Sequence, residues 1–160
     1  MVRIKSLSAA PSILIAMGVA LAASGTNAHS DEHHHEHAAF GHPGDPAKVS
    51  RSVTIDMNDT MRYDPARISV KRGETIRFVV KNSGHVKHEI VLGTMKELRE
   101  HAAMMRKFPE MEHADPNQLA VDPGKTGDLL WQFTKSGTFD FACLQPGHYE
   151  AGMRGKIIVK

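Results

Sequence analysis

The chain reads as an all-β protein, an antiparallel β-sandwich interrupted by one short helix. Three features carry that expectation. About seven short runs between residues 50 and 160 alternate apolar and polar side chains with period two. Turns containing Gly, Pro, Asn or Ser separate the runs. A single stretch after Gly93 changes to helical spacing. A span of roughly 110 residues suffices to bury one core of this type.

The elements follow in order. Val53, Ile55 and Met57 alternate with polar neighbours. Ile68 and Val70 form a short strand ended by Lys71-Arg72-Gly73, and Ile76, Phe78 and Val80 form one ended by Asn82-Ser83-Gly84. His88, Ile90 and Leu92 keep the same period. Thr94-Met95-Lys96-Glu97 is a capping box, with the Thr side chain on the N3 amide and Glu97 reaching back. Leu98, Ala102 and Met105 then share one helical face, and Phe108-Pro109 ends the helix after about three turns. A loop through Met111, His113 and Asp115-Pro116 leads to the last strands. These hold Leu129, Trp131 and Phe133, then Phe139 and Phe141, then Ile157 and Val159.

The first 28 residues have the layout of an export signal. Arg3 and Lys5 precede an apolar run from about Ile13 to Ala23, and Thr26-Asn27-Ala28 offers small residues for cleavage. The run is short of the roughly 20 apolar residues a membrane span needs, so no stable membrane insertion is expected after cleavage. The implied compartment is the periplasm. Residues 29–48 follow as a flexible tail, and residues 49–160 as the folded domain. The tail carries His29, His33, His34, His35, His37 and His42, interleaved with Asp31, Glu32 and Glu36, a composition suited to capturing metal ions. An artificial tag would be an unbroken run of His. Without Arg3 and Lys5, the 20 basic residues become 18 against 18 acidic ones. Nothing in that balance points to nucleic acid. One Cys stands in the whole chain. In an oxidising compartment a lone thiol is a liability unless something occupies it.

That Cys opens the segment Cys143-Leu144-Gln145-Pro146-Gly147-His148-Tyr149-Glu150-Ala151-Gly152-Met153. It sets a thiolate, an imidazole and a thioether at even spacing on one loop. Two His and one Cys in a trigonal plane with a weak axial Met make a blue-copper site. Period two points Cys143 inward with Phe139 and Phe141, and points His88 inward with Ile90 and Leu92. Two strand ends thus deliver a thiolate and an imidazole to one pole, and the loop supplies His148 and Met153. His85 is the alternative to His88, but it follows Gly84 in a turn, outside the apolar alternation. Zinc has no use for Met153. A Cys–His nucleophile would lack an orienting group or oxyanion hole. A dinuclear copper centre needs a second Cys, and a multicopper oxidase needs His beside the Cys, where Ala142 and Leu144 stand. The expected centre is mononuclear and not an enzyme's. Met104, Met105, Met111, His101 and His113, near Met95, stand open to two readings: an accessory Cu(I) site, or core fillers and surface residues.

Cys-x4-His-x4-Met followed by Gly155-Lys156-Ile157-Ile158-Val159 resembles the C-terminal signature of the cupredoxins. Pro65-x-x-Ile68-x-Val70-x-x-Gly73-Glu74-x-Ile76-x-Phe78 resembles their first half, so the likeness spans about residues 50–160. The His-rich leader, His88-Glu89-Ile90-Val91-Leu92-Gly93 and the Met- and His-bearing insertion are similar to those of CopI-type periplasmic copper-resistance cupredoxins. The resemblance implies a Greek-key β-sandwich with a helical insertion after the first ligand strand. It implies one type 1 copper held by His88, Cys143, His148 and Met153, and a role in copper tolerance; whether the tail and the insertion take additional copper ions stays open. It departs at Glu89, which stands where many cupredoxins have an Asn or Ser that braces the Cys loop.

Two functions follow, copper tolerance or electron carriage between respiratory partners. The copper ligands suit both. The His-rich tail and the insertion favour tolerance, because a carrier needs neither. A carrier's redox partner would dock near His148, on the apolar surface of Pro146, Gly147 and Ala151. A pure copper chaperone would show no redox-active absorption band.

Overall fold

A computed structural model describes residues 40–107 and 115–160. Ten strands and one helix make up the described chain. The strands are β1 (Gly41–Pro43), β2 (Arg51–Asn58), β3 (Arg62–Asp64), β4 (Arg67–Val70), β5 (Thr75–Asn82), β6 (His88–Gly93), β7 (Gln118–Val121), β8 (Thr126–Phe133), β9 (Gly137–Ala142) and β10 (Arg154–Val159). The helix, α1 (Met95–Lys107), lies between β6 and β7. One sheet runs β1-β8-β5-β2-β3 and the other β4-β10-β9-β6-β7.

The sandwich core is built by the alternation visible in the sequence. Ile55, Met57, Ile76, Phe78, Val80, Trp131 and Phe133 from the first sheet face Ile68, Ile90, Leu92, Phe141, Ile157 and Val159 from the second. Each such side chain contributes about 1.5–3 kcal/mol when taken fully out of water. The sheets are mixed rather than antiparallel throughout. β2 pairs parallel with β5, and β4 parallel with β10. Period two is the same for either direction of pairing, so alternation alone does not distinguish them.

The helix explains why β6 is buried along its whole length. His88, Ile90 and Leu92 face the sandwich core. On the opposite face Val91, Ala142 and Leu144 meet Leu98 of α1, with Ala102 and Tyr149 at the edge. The capping box forms as expected: the Thr94 amide donates to Glu97 at 2.6 Å and the Glu97 amide to Thr94 Oγ1 at 3.3 Å. A second small core therefore sits outside the sandwich, above the strands that carry His88 and lead into Cys143.

The boundary of the folded domain differs from the expected one at residue 49. Phe40 is fully buried and stacks against Phe139, ring centroids 4.9 Å apart, with Trp131 at 5.2 Å. Gly41, His42 and Pro43 pair with Phe133, Gln132 and Trp131 as an edge strand of the first sheet. A 3-10 turn over Pro46–Lys48 follows, capped by the Asp45 side chain accepting from the Ala47 amide at 2.9 Å. Residues 40–48 therefore belong to the domain and not to a tail. Pro and Gly punctuation obscured this, because one aromatic plug carries no periodicity. His42 sits in β1, part-buried, with Nδ1 2.9 Å from the Pro43 carbonyl. The remainder of the expected tail and the export signal lie outside the described residues, as do Met111 and His113. Among the described residues no helix is long and apolar enough to cross a membrane.

Phe40→Ala should destabilise the domain by about 3–5 kcal/mol, the usual cost of emptying a buried aromatic site. Denaturant unfolding checks this. A chain beginning at residue 49 should show the same loss, and one beginning at residue 39 should not.

Candidate metal centre

His88 is the first residue of β6, and Cys143 follows the last residue of β9. Both are fully buried at one end of the sandwich, and Met153 is fully buried in the same core cluster. The loop from Cys143 to Met153 is closed on itself by its own backbone. The Cys143 amide donates to the Met153 carbonyl at 3.1 Å, and the Met153 amide to the His148 carbonyl at 3.0 Å. The His148 amide donates to Gln145 and the Ala151 amide to Gly147, both at 3.0 Å. Gly147 and Gly152 take φ of +84° and +102°, a region costly for other residues, and so permit the tight wrap.

The loop brings His148 onto Cys143 and His88. His148 Nδ1 lies 3.3 Å from Cys143 Sγ and 3.2 Å from His88 Nδ1. The donor atoms of all three residues fall within 4.8 Å of one another. That spacing suits one ion with metal–ligand bonds of about 2.0–2.3 Å. Thiolate and imidazole donors suit copper, and Met153, the expected thioether, is buried in the same core cluster as Cys143. His85 is not among them. It points outward, its side chain 95% exposed, with Nδ1 3.0 Å from Asp59 Oδ2. On α1, Met104 is exposed and His101 and Met105 are part-buried, while Met95 Sδ accepts from the Tyr149 hydroxyl at 3.0 Å.

Burial pushes the Cys143 thiol from 9.0 up to about 12, partly offset by the Glu89 and Gln145 amides, which donate to the sulfur. Burial also lowers the His148 pKa, and the neighbouring His88 adds to that. Near pH 7 the sulfur thus keeps its proton until a cation displaces it, and His148 offers a bare nitrogen.

Two residues around the centre deserve naming beyond the expected donors. Glu89, the departure noted above, does brace the loop: Oε1 accepts from the Leu144 amide at 2.9 Å and Oε2 from Gln145 Nε2 at 3.3 Å. The Glu89 carbonyl accepts from the buried Tyr63 hydroxyl at 2.5 Å, and the Tyr63 ring meets Phe141 edge-on at 4.9 Å. Asp59, in the turn after β2, was not anticipated. Its Oδ1 lies 3.3 Å from His88 Nε2. The His85 amide and side chain hold its pKa down to about 2. Nothing in the periodicity marks a turn Asp, and the contact spans 29 residues.

The sequence matches the copper-binding proteins of the plastocyanin/azurin family over residues 49–160. The chain belongs to that family. Copper is accordingly its cofactor. It is 53% identical to a copper-resistant cuproprotein CopI of Rubrivivax gelatinosus, the match covering 84% of this chain and 82% of that one. A copper-resistant cuproprotein CopI of Pseudomonas aeruginosa is 36% identical, with 94% and 96% covered. Among solved structures, auracyanin B superposes with a TM-score of 0.63 at 21% identity, covering 76% of this chain and 96% of its own. That likeness speaks for the cupredoxin fold. The family match begins at residue 49, so β1 and Phe40 lie outside it, although β1 adds the edge strand of the first sheet and Phe40 is buried in the core.

Loading the metal-free protein with a cation near pH 7 should release about one proton, from the Cys143 thiol. Apparent affinity should therefore rise with pH up to about 12, the thiol's own pKa. Calorimetry in buffers of different ionisation enthalpy measures this, and Cys143→Ser should release none.

Proposed function

We propose that the protein is an exported, periplasmic type 1 copper protein of copper tolerance. In this reading Nδ1 of His88, Sγ of Cys143 and Nδ1 of His148 hold the ion, and the Met153 thioether is the weak axial donor. The single observation that carries it is the meeting of one thiolate donor and two imidazole nitrogens within 4.8 Å in a buried pole. Copper bound there supplies one-electron exchange between the cuprous and cupric states.

The residues' own work is to hold position. Backbone bonds close the ligand loop, Glu89 ties its start to β6, and α1 covers the outer face of both ligand-bearing strands. Donors kept at fixed separation suit an ion that changes charge without changing partners. The reading assigns no substrate chemistry: the thiol–imidazole pair at the centre, Cys143 and His148, is taken up as metal donors. Tolerance is favoured by the resemblance to copper-resistant relatives and by the His-rich residues 29–37.

One observation supports electron carriage as a second reading. His148 is only part-buried, and Pro146, Gly147 and Ala151 around it are exposed. In this reading that small apolar rim is the landing surface for a redox partner. Growth separates the two. A strain lacking the protein should be copper-sensitive with normal respiration, and impaired respiration with ordinary copper tolerance would favour the carrier.

Cys143→Ser should abolish the intense thiolate-to-Cu(II) absorption of the oxidised protein. Met153→Leu should retain copper and shift the potential, because the axial bond is weak. Absorption and paramagnetic-resonance spectra, with redox titration, check both. A protein lacking residues 29–39 should keep the absorption band and bind less copper in total.

A further inference from the structure

A metal-binding imidazole presents one bare nitrogen to the metal while its other nitrogen keeps a proton and donates it elsewhere. His88 is fully enclosed, so that second nitrogen needs an acceptor within the protein. Asp59 provides one, with Oδ1 3.3 Å from Nε2. An ionised carboxylate only accepts. Nε2 therefore donates, and the lone pair is left on Nδ1, the atom 3.2 Å from His148 Nδ1.

Asp59 is itself held from the far side. The His85 amide donates to Oδ1 at 3.0 Å and to Oδ2 at 2.8 Å, and the Val86 amide lies 3.4 Å from Oδ1. His85 Nδ1 reaches Oδ2 at 3.0 Å. The turn can close this tightly because residue 84 is glycine: a Cβ there would come within 2.1 Å of Asp59 Oδ1. On the other side of Asp59, Asn58 Oδ1 accepts from the Thr60 amide at 3.0 Å and steadies the turn. Two loops distant in sequence thus converge on one carboxylate, and that carboxylate faces one nitrogen of His88.

We propose that Asp59 is a positioning residue of the copper centre. Acting through Nε2 of His88, its carboxylate holds the tautomer that binds through Nδ1 and makes that ring a stronger donor to the cupric ion. The inference rests on the reading of His88 as a copper ligand. A neutral acceptor would fix the same tautomer. The full negative charge adds a preference for the more highly charged metal state.

Native protein, Asp59→Asn and Asp59→Ala separate the two roles. Nitrogen-15 NMR of the metal-free proteins reads the His88 tautomer. Native protein should show the Nε2–H form, and Asp59→Ala should show a mixture. Asp59→Asn keeps an acceptor oxygen and loses the charge. In the copper-loaded form it should retain the absorption band while the Cu(II)-over-Cu(I) affinity ratio falls about tenfold, a rise in potential of about 59 mV. Asp59→Ala should weaken Cu(II) binding about 10–100-fold, as loss of a ligand's hydrogen-bond partner usually does. Melting of the metal-free variants reports separately on folding. A lower melting temperature with unchanged tautomer and unchanged potential overturns the proposal. Absence of a thiolate-to-Cu(II) band in native protein overturns the copper-ligand reading instead, and the metal-free tautomer still decides what Asp59 does to His88.

Discussion

A thiolate inside an apolar core has to be matched by a cation, and the architecture of this protein turns on that constraint. Cys143 is fully buried and belongs to the same packed cluster as Phe141, Ile90 and Met153. An unpaired charge there costs several kcal/mol or more, which is why burial keeps the thiol protonated when no metal balances it. Placing His88 and His148 beside the sulfur turns an unfavourable location into a selective one. A cation that accepts a soft sulfur and two imidazoles, as copper does, would balance the thiolate there.

The scaffold meets that constraint by making the donors hard to move. His88 stands on a strand buried on both faces, because the sandwich core lies on one side and α1 on the other. Cys143 leaves a strand bonded on both sides, by β10 and β6. The loop between Cys143 and Met153 is bonded to itself at both ends. Side chains further out lock the loop to its surroundings: Arg62 donates to the Ala151 carbonyl at 2.8 Å and the Tyr149 hydroxyl to Met95 at 3.0 Å. The helix that looks like an ornament on the β-fold is therefore part of the support of the centre.

Two acidic side chains stand behind the donors, and they divide the work. Glu89 reaches past Cys143 to the amide of Leu144 and the side chain of Gln145, steadying the start of the loop. Asp59 stands behind His88, anchored by the amides of the turn at His85 and Val86. Outer partners orient metal ligands as much as the ligands' own backbone does. Here both partners are carboxyl side chains reaching across from another segment, one to a ring nitrogen and one to a backbone amide.

Much of this was legible in the linear chain. Alternation in Ile76-Phe78-Val80, Leu129-Trp131-Phe133 and Phe139-Phe141 identified the core strands, because a half-buried strand must alternate. The spacing of Cys143, His148 and Met153 pointed to copper, because zinc shares the thiolate and imidazole but has no use for a thioether. Short edge elements were not legible. β1, β3 and β7 span three or four residues each, too few for a period to show, and Phe40 plugs the core alone. The sense of strand pairing was equally invisible, since parallel and antiparallel neighbours alternate alike. Sequence by itself determined the fold class, the pointer to copper and the order of Cys143, His148 and Met153 along the chain, all of them local properties of composition and spacing. Tertiary structure alone decided which turn residue meets His88, how Glu89 serves the loop and where the domain begins. Each of those is a contact between segments far apart in sequence, and only the closed sandwich brings such segments together.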